Sequence, residues 1–392
     1  MKIISIKSLQ VLDSRGNPTV YCRLRTEAGF FESMVPSGAS TGVHEALELR
    51  DGGNAWAGKG VQKAVENING PIAKKLAGLA VEDQRDIDAQ LVQLDGSPDK
   101  SNLGANAILA VSMVVCRAGA ASHGMELFEY IGKLAENKRF VLPVPQLNVM
   151  NGGRHAGLSH DIQEQMFVPQ KFKSFSDALR AGVESYQMLQ KILVKRFGST
   201  AALLGDEGGF VPAQLRRVED RLALMRQAVE EAGYLGKISF ALDAAASEFF
   251  EDDAYHLGEQ KYSANELVSF YDQLCREFGV VSLEDGLDQD DWDGWQLLTR
   301  KTGSFLQLVG DDLLVTNPKR IETAISKRAC NALLLKVNQI GSVSESIDAF
   351  RLARDAKWNV VVSHRSGETE DSFIADLVVG LAAGQSKFGA PA

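Results

Sequence analysis

Between positions 238 and 364 the chain repeats one pattern, a short apolar segment closed by an ionisable residue: Phe240-Ala-Leu-Asp243, Val281-Ser-Leu-Glu284, Leu308-Val-Gly-Asp311, Leu333-Leu-Leu-Lys336 and Val361-Val-Ser-His364. Runs this short and apolar suit fully buried strands, and the stretches between them are amphipathic with helix-start signals. Ser263-Ala-Asn-Glu266 and Ser342-Val-Ser-Glu345 are capping boxes, and Asn317-Pro318 sets a cap before a proline in the first turn. Strands alternating with helices specify a parallel sheet covered by helices, here an α/β barrel. Such a barrel gathers its strand ends on one face, where catalytic groups sit. A solvated strand end explains any one of these residues but is a poor account of five in succession.

Working outward, candidate strands fall at 140–149, 164–169, 238–244, 280–284, 306–310, 332–337, 359–363 and 386–389, the eight that close a barrel. The chain before them reads differently. Alternation over 20–26 and 30–35 around Glu27-Ala-Gly29 marks a hairpin, and 59–76, 81–94 and 102–122 carry helical spacing. The expected organisation is an N-terminal α+β capping domain over 1–125 and a β/α barrel catalytic domain over 139–392.

Composition narrows the function classes. With 51 acidic against 42 basic residues in 392, net charge −9, no Lys/Arg run is long enough to track a phosphate backbone, so no nucleic-acid partner is expected. Cys22, Cys116, Cys275 and Cys330 lie far apart without a Cys-x-x-Cys pair, which argues against a zinc ribbon or a disulfide framework and favours the cytoplasm. The first sixteen residues lack the continuous apolar stretch of a signal peptide. The apolar stretch 103–121, interrupted by Asn106, Ser112 and Arg117, reads as a core helix, so no membrane is expected.

Asp243, Glu284 and Asp311 on neighbouring strands would form an all-oxygen, three-carboxylate cluster, a donor set that selects Mg²⁺ over Zn²⁺. Without a cation the three would repel and raise one another's pKa. Lys336 on the next strand would face that cluster, and burial beside cations favours the neutral amine that a general base needs. Lys387 on the last strand adds a second positive group. Glu164 opens its strand, so it reaches the same face only if that strand runs antiparallel. Gly205-Asp-Glu-Gly-Gly209 is an acidic, glycine-flanked turn and by itself a weak signal. His364-Arg-Ser-Gly367 precedes a helix at the usual phosphate position of a barrel and implies a phosphorylated substrate.

Longer motifs add a resemblance. Leu12-Asp-Ser-Arg-Gly-Asn-Pro-Thr19, Pro36-Ser-Gly-Ala-Ser-Thr-Gly42, Gly205-Asp-Glu-Gly-Gly-Phe210, Leu333-Leu-Leu-Lys-Val-Asn-Gln-Ile-Gly341 and Val362-Ser-His-Arg-Ser-Gly-Glu-Thr-Glu-Asp371 make the chain resemble the enolase family from about Ile3 to its last residue. The resemblance implies an N-terminal α+β domain on an eight-stranded, TIM-like barrel whose second strand is antiparallel. It implies a cytoplasmic hydro-lyase of glycolysis, phosphopyruvate hydratase, that interconverts 2-phosphoglycerate and phosphoenolpyruvate, and a homodimer or higher homo-oligomer.

By position, the resemblance makes Asp243, Glu284 and Asp311 ligands of the first Mg²⁺, with Ser40 completing a second Mg²⁺ site when substrate is bound. Lys336 matches the base that removes the C2 proton, and Glu207 the acid that protonates the departing hydroxyl, with Glu164 beside it. Gln163, Lys387, Arg365 and Ser366 match substrate-binding positions, the last two at the phosphate. His155 matches a loop that closes over the site, as does Ser40, and His364 matches a histidine lining it. Arg154, Gln165, Gly286 and Phe388 depart from the family pattern next to site positions. The family pattern also runs beyond Lys387 into an Arg-Ser-Glu-Arg segment and a final helix, which implies a short last βα unit here. Two other readings compete: a paralogue acting on a related phosphorylated or phosphonylated acid, prompted by those four departures, and a non-catalytic structural or binding protein reusing the fold.

Overall fold

A computed structural model of the chain describes residues 1–392 apart from Ser40 and the side chain of His155. The N-terminal part is a three-stranded antiparallel meander of β1 (Ser5–Leu12), β2 (Pro18–Thr26) and β3 (Gly29–Met34). The segment expected as one helix over 59–76 is instead broken into α1 (Gln62–Asn67), a wider turn at Ile68–Ile72 and α2 (Ala73–Leu76). Pro71 lies within that turn and has no N–H to continue the ladder, and Gly70 beside it is a poor helix former.

Three longer helices follow: α3 (Gln84–Asp95), α4 (Ala105–Ser122) and α5 (Leu127–Leu134). Helix α4 is long and apolar enough to cross a membrane, yet 83% of it is buried inside the fold. It is the hub between the two halves of the molecule. The Ser33 hydroxyl of the meander donates to the Ala110 carbonyl (2.6 Å), and the Ser112 hydroxyl accepts from the Val343 N–H on the barrel side (2.9 Å). Ile108, Leu109, Val111, Val114 and Val115 are fully buried, each worth about 1.5–3 kcal/mol.

The barrel closes in the order β4 (Val144–Asn151), β5 (Glu164–Val168), β6 (Ser239–Asp243), β10 (Val280–Glu284), β11 (Gln307–Gly310), β12 (Ala332–Leu335), β13 (Asn359–Ser363) and β14 (Gly384–Lys387), with β14 returning to β4. Its outer helices are α6 (Phe175–Phe197), α7 (Val218–Glu231), α8 (Ala264–Phe278), α9 (Trp292–Thr302), α10 (Pro318–Lys327), α12 (Val343–Asp355) and α13 (Phe373–Gly380). A small meander of β7 (Phe250–Glu251), β8 (Ala254–Leu257) and β9 (Gln260–Tyr262) leaves the barrel after β6. Pairing is parallel all round except at β5, which runs antiparallel to both neighbours.

Strand limits move from the sequence expectation at both ends of the barrel. The first strand starts at Val144, later than expected, and the last spans Gly384–Lys387 instead of 386–389. Gly389, at φ +86°, turns the chain out of the sheet, where the Ala390 N–H donates to the Glu207 carbonyl (3.0 Å). Strand β12 stops at Leu335 instead of 337: the Lys336 N–H donates to Thr316 Oγ1 (3.0 Å), and the chain coils into the single turn α11 (Val337–Ile340).

Inside the barrel the period of two along a strand stacks side chains in layers. Val309, Ala332, Leu334 and Val361 form one apolar cluster, and Met166, Val168 and Ala241 another. Nearer the strand starts, Gln385 Nε2 donates to Gln307 Oε1 (2.8 Å), and Gln146 Nε2 and Gln307 Nε2 both donate to Gln385 Oε1 (3.0 Å each), a polar plug that closes that end. One step of two beyond the apolar layers, on the same faces, stand Glu164, Asp243, Asp311 and Lys336.

Candidate active site

The strand ends converge as the alternation requires. One cleft is lined by Gln163, Glu164, Glu207, Asp243, Asp311, Lys336, Ser363, His364, Arg365, Ser366 and Lys387. Because β5 is antiparallel, Glu164 at its start lies at the same barrel end as the others, paired in register with Asp243 on one side and Asn151 on the other.

Charge balance in the cleft runs through two lysines. Lys387 Nζ donates to Asp243 Oδ2 (2.8 Å) and Glu284 Oε1 (2.9 Å) and lies 3.4 Å from Glu164 Oε2. Burial works against its ammonium, but Asp243, Glu164 and Glu284 outweigh that and hold its pKa well above the ordinary lysine value. Lys336 Nζ donates to Asp311 Oδ2, and Gln339 Nε2 donates to Asp311 Oδ1 (2.8 Å). Burial again opposes the ammonium, yet Asp311 raises the Lys336 pKa above its usual value. With only side chains around it, the carboxylate beside Lys336 prevails over desolvation; the neutral amine expected from the sequence is one that stands beside cations. Glu284 shows the reverse. Burial, then the Asp243 charge, push its carboxyl well above the carboxylate range, and its Oε2 is buried with no hydrogen-bond partner among the described residues.

Glu207 sits on the glycine-flanked turn, its Oε2 3.1 Å from His364 Nε2, and it accepts from Asn148 Nδ2 (3.3 Å). The Asn151 N–H donates to the Phe210 carbonyl (2.8 Å) and ties that turn to the end of β4. At the opposite rim, Arg365 donates through Nη1 to Glu45 Oε2 (2.9 Å) and Asn338 Oδ1 (3.0 Å), and through Nη2 to Glu45 Oε1 (3.2 Å). The Ser366 hydroxyl accepts from the Ala39 N–H (3.0 Å), so the segment leading to residue 40 runs over this rim. Ser40 itself lies outside the described residues. His155 falls in the short turn Gly153–Ala156, and its side chain is likewise outside the described residues.

A second acidic group was not foreseen. Asp285, Asp311 and Asp312 bring carboxylate oxygens within 4.8 Å of one another. Both oxygens of Asp285 are already engaged, accepting from the backbone N–H groups of Asp311 (2.9 Å) and Asp312 (2.7 Å). Asp285 is thus a clip between the ends of β10 and β11. Asn148, Asn338 and Gln339 were also missed, although the last two adjoin Lys336 in its motif. Nothing local marks Glu45. Of the four departures from the family pattern, Gln165 donates to the Ile162 carbonyl (3.1 Å), Arg154 pairs with Glu248 (2.8 Å), and Phe388 packs on the main core. A Cβ on Gly286 would press on Leu283 at 2.9 Å.

Residues 3–131 match the enolase N-terminal domain, and residues 139–392 match the enolase C-terminal TIM barrel domain. The enolase of Solanum lycopersicum is 50% identical over 405 residues, covering 99% of this chain and 91% of that protein. The enolase of Mastigamoeba balamuthi is 51% identical over 402 residues, and enolase 2 of Hevea brasiliensis 50% over 405, with the same coverage. The barrel with its one antiparallel strand, the N-terminal meander joined to it through α4 and similarity along nearly the whole length agree: the chain belongs to the enolase family.

Proposed function

We propose that this chain catalyses the reversible dehydration of 2-phosphoglycerate to phosphoenolpyruvate, a hydro-lyase step of glycolysis, in the cleft at the strand ends. The observation that carries the reading is the convergence on one cleft of a lysine, a histidine-held carboxyl group and a set of buried carboxylates. Loss of the C2 proton and the C3 hydroxyl leaves the C2–C3 double bond and water, so the reaction needs a base, an acid and a positive environment. Lys336, as the neutral amine, takes the C2 proton on Nζ. Glu207 delivers a proton to the departing hydroxyl, its carboxyl oriented by His364 and Asn148, with Glu164 beside it. Arg365 and Ser366 bind the phosphate, Gln163 and Lys387 make further contacts to substrate, and His155 belongs to the loop that closes the cleft and keeps out water.

The donor set suits a hard divalent cation: every ligand atom is oxygen, and the buried Glu284 Oε2 has no hydrogen-bond partner among the described residues. We assign Asp243, Glu284 and Asp311 to one Mg²⁺ and Ser40 to a second that accompanies substrate. Bound there, Mg²⁺ supplies positive charge against the negative charge that develops on the substrate, an effect worth several kcal/mol.

In this reading residues 1–125 cap a catalytic barrel of 139–392. The Glu45–Arg365 and Ala39–Ser366 contacts across that junction support it. A homodimer or higher oligomer is supported by Leu9, Leu12 and Phe30, which stand exposed on the meander. Four buried, unpaired cysteines fit a cytoplasmic location. The test is an absorbance assay for phosphoenolpyruvate formed from 2-phosphoglycerate with Mg²⁺. Absence of turnover by the folded, Mg²⁺-supplied protein would refute the reading.

A further inference from the structure

Away from the cleft, Arg221 on α7 is buried to 1% exposure and grips Asp161 with both ends of its guanidinium, Nη1 to Oδ2 at 2.6 Å and Nη2 to Oδ1. Nη1 also reaches the Leu215 carbonyl (3.3 Å). Desolvating such a pair costs about as much as its attraction returns, so stability alone is a weak reason for it. Its place is more telling. Asp161 sits at the foot of the connection that carries Arg154 and His155, two residues before Gln163 and three before Glu164.

The foot of that connection is tightly built. Asp161 Oδ1 also accepts from the Ile162 N–H (2.8 Å), and the Gly152 N–H donates to the Gln163 carbonyl (3.0 Å). A Cβ on Gly152 would overlap Asp161 Oδ2 and the Ile162 carbonyl, and one on Gly153 would meet Asp161 O at 3.0 Å and Gln163 Cα at 3.2 Å. A shift of Asp161 therefore passes directly to Gln163 and to the start of β5. In the ring of eight strands, β5 lies opposite β12, which delivers Lys336, while the Glu207 turn is tied to β4 next to β5.

We propose that Asp161 and Arg221 are positioning residues for the acid half of the reaction: the pair holds Gln163 and Glu164 in place beside Glu207 without bearing on the Lys336 side. The inference rests on the reaction assigned above. It is tested by following two rates on one sample in deuterated buffer with Mg²⁺: exchange of the 2-phosphoglycerate C2 proton by NMR, and phosphoenolpyruvate formation by absorbance.

The Asp161→Leu/Arg221→Met double variant removes both charges and leaves no unpaired ion, so it is expected to keep the fold, which circular dichroism checks; Asp161→Asn is the milder companion. Phosphoenolpyruvate formation is expected to fall by about tenfold or more while C2 exchange stays within about threefold of the unmodified enzyme. Equal loss of both rates, or no loss of either in folded protein, would overturn the proposal. An unmodified enzyme that neither exchanges nor dehydrates would refute the reaction assignment itself, a result distinct from failure of the pair.

Discussion

Glu164 at the start of β5 stands directly opposite Asp243 at the end of β6, and Lys387 Nζ reaches both, at 3.4 and 2.8 Å. Two carboxylates in register, with Glu284 beside them, are tolerable in a buried cleft only because a cation is shared among them. Lys387→Met is therefore expected to destabilise the metal-free protein by about 3–5 kcal/mol. Added Mg²⁺ should recover part of that in a thermal melt, since a ligand that binds only the folded state stabilises it. A variant that melts with the unmodified protein in the presence of chelator would contradict this balance.

Lys336 and the carboxylates make a paired prediction. Lys336→Ala should lower phosphoenolpyruvate formation by about 10²–10⁴-fold and abolish C2 exchange, the signature of a lost base. Chelation of the unmodified enzyme should also stop turnover, with recovery on adding Mg²⁺. Glu284→Gln should weaken that recovery, because it removes one of the buried oxygens assigned to the ion.

Arg365 is held by Glu45 from the meander side and by Asn338 from behind Lys336. Arg365→Gln is expected to raise KM for 2-phosphoglycerate by about 10–100-fold, the value of a charge-assisted hydrogen bond. Glu45→Gln should give a smaller rise in KM with kcat little changed, as the guanidinium loses one support but keeps its charge. Unchanged KM in Arg365→Gln would remove the phosphate from this rim.

In the barrel interior, Leu334 is fully buried among Val309, Ala332 and Val361. Leu334→Ala should cost about 2–5 kcal/mol in denaturant unfolding, because the rigid ring of strands cannot collapse onto the space left.

Glu82 gives a pH signature. Burial tends to raise its carboxyl pKa, but hydrogen bonds from the Met1 ammonium and the Ser122 hydroxyl prevail and lower it from 4.5 to about 2. Its folded value is depressed, so its contribution to stability is complete above 4.5 and is lost as pH falls toward about 2. Glu82→Gln should accordingly melt below the unmodified protein at pH 7, and the gap should narrow between those two values. A gap independent of pH would disprove the ionic origin.

Much of this architecture was legible in the sequence because its signals are local. An apolar run of four or five residues closed by Asp243, Glu284, Asp311 or Lys336 reads as a strand end wherever it occurs, and capping boxes mark the helices between. The alternation of side chains along a strand then dictates that Lys336 shares a face with Leu334. The strand limits near 335 and 387 were less legible, since they depend on bonds to Thr316 and Glu207 on other elements.

What the sequence by itself determined is the barrel, the clustering of acidic and basic groups at one end of it and the kind of ligand such groups attract. Tertiary structure alone decided which charges meet. Glu45 is 320 positions from Arg365, Asp161 is 60 from Arg221, and Lys387 is 144 from Asp243. It also decided the surroundings of Lys336, where the charge of Asp311 works against burial and raises the pKa. The division has a physical cause. Hydrogen bonding and side-chain periodicity are set by neighbours along the chain, whereas electrostatic interaction depends on distance and burial in space, which exist only once the strands have closed.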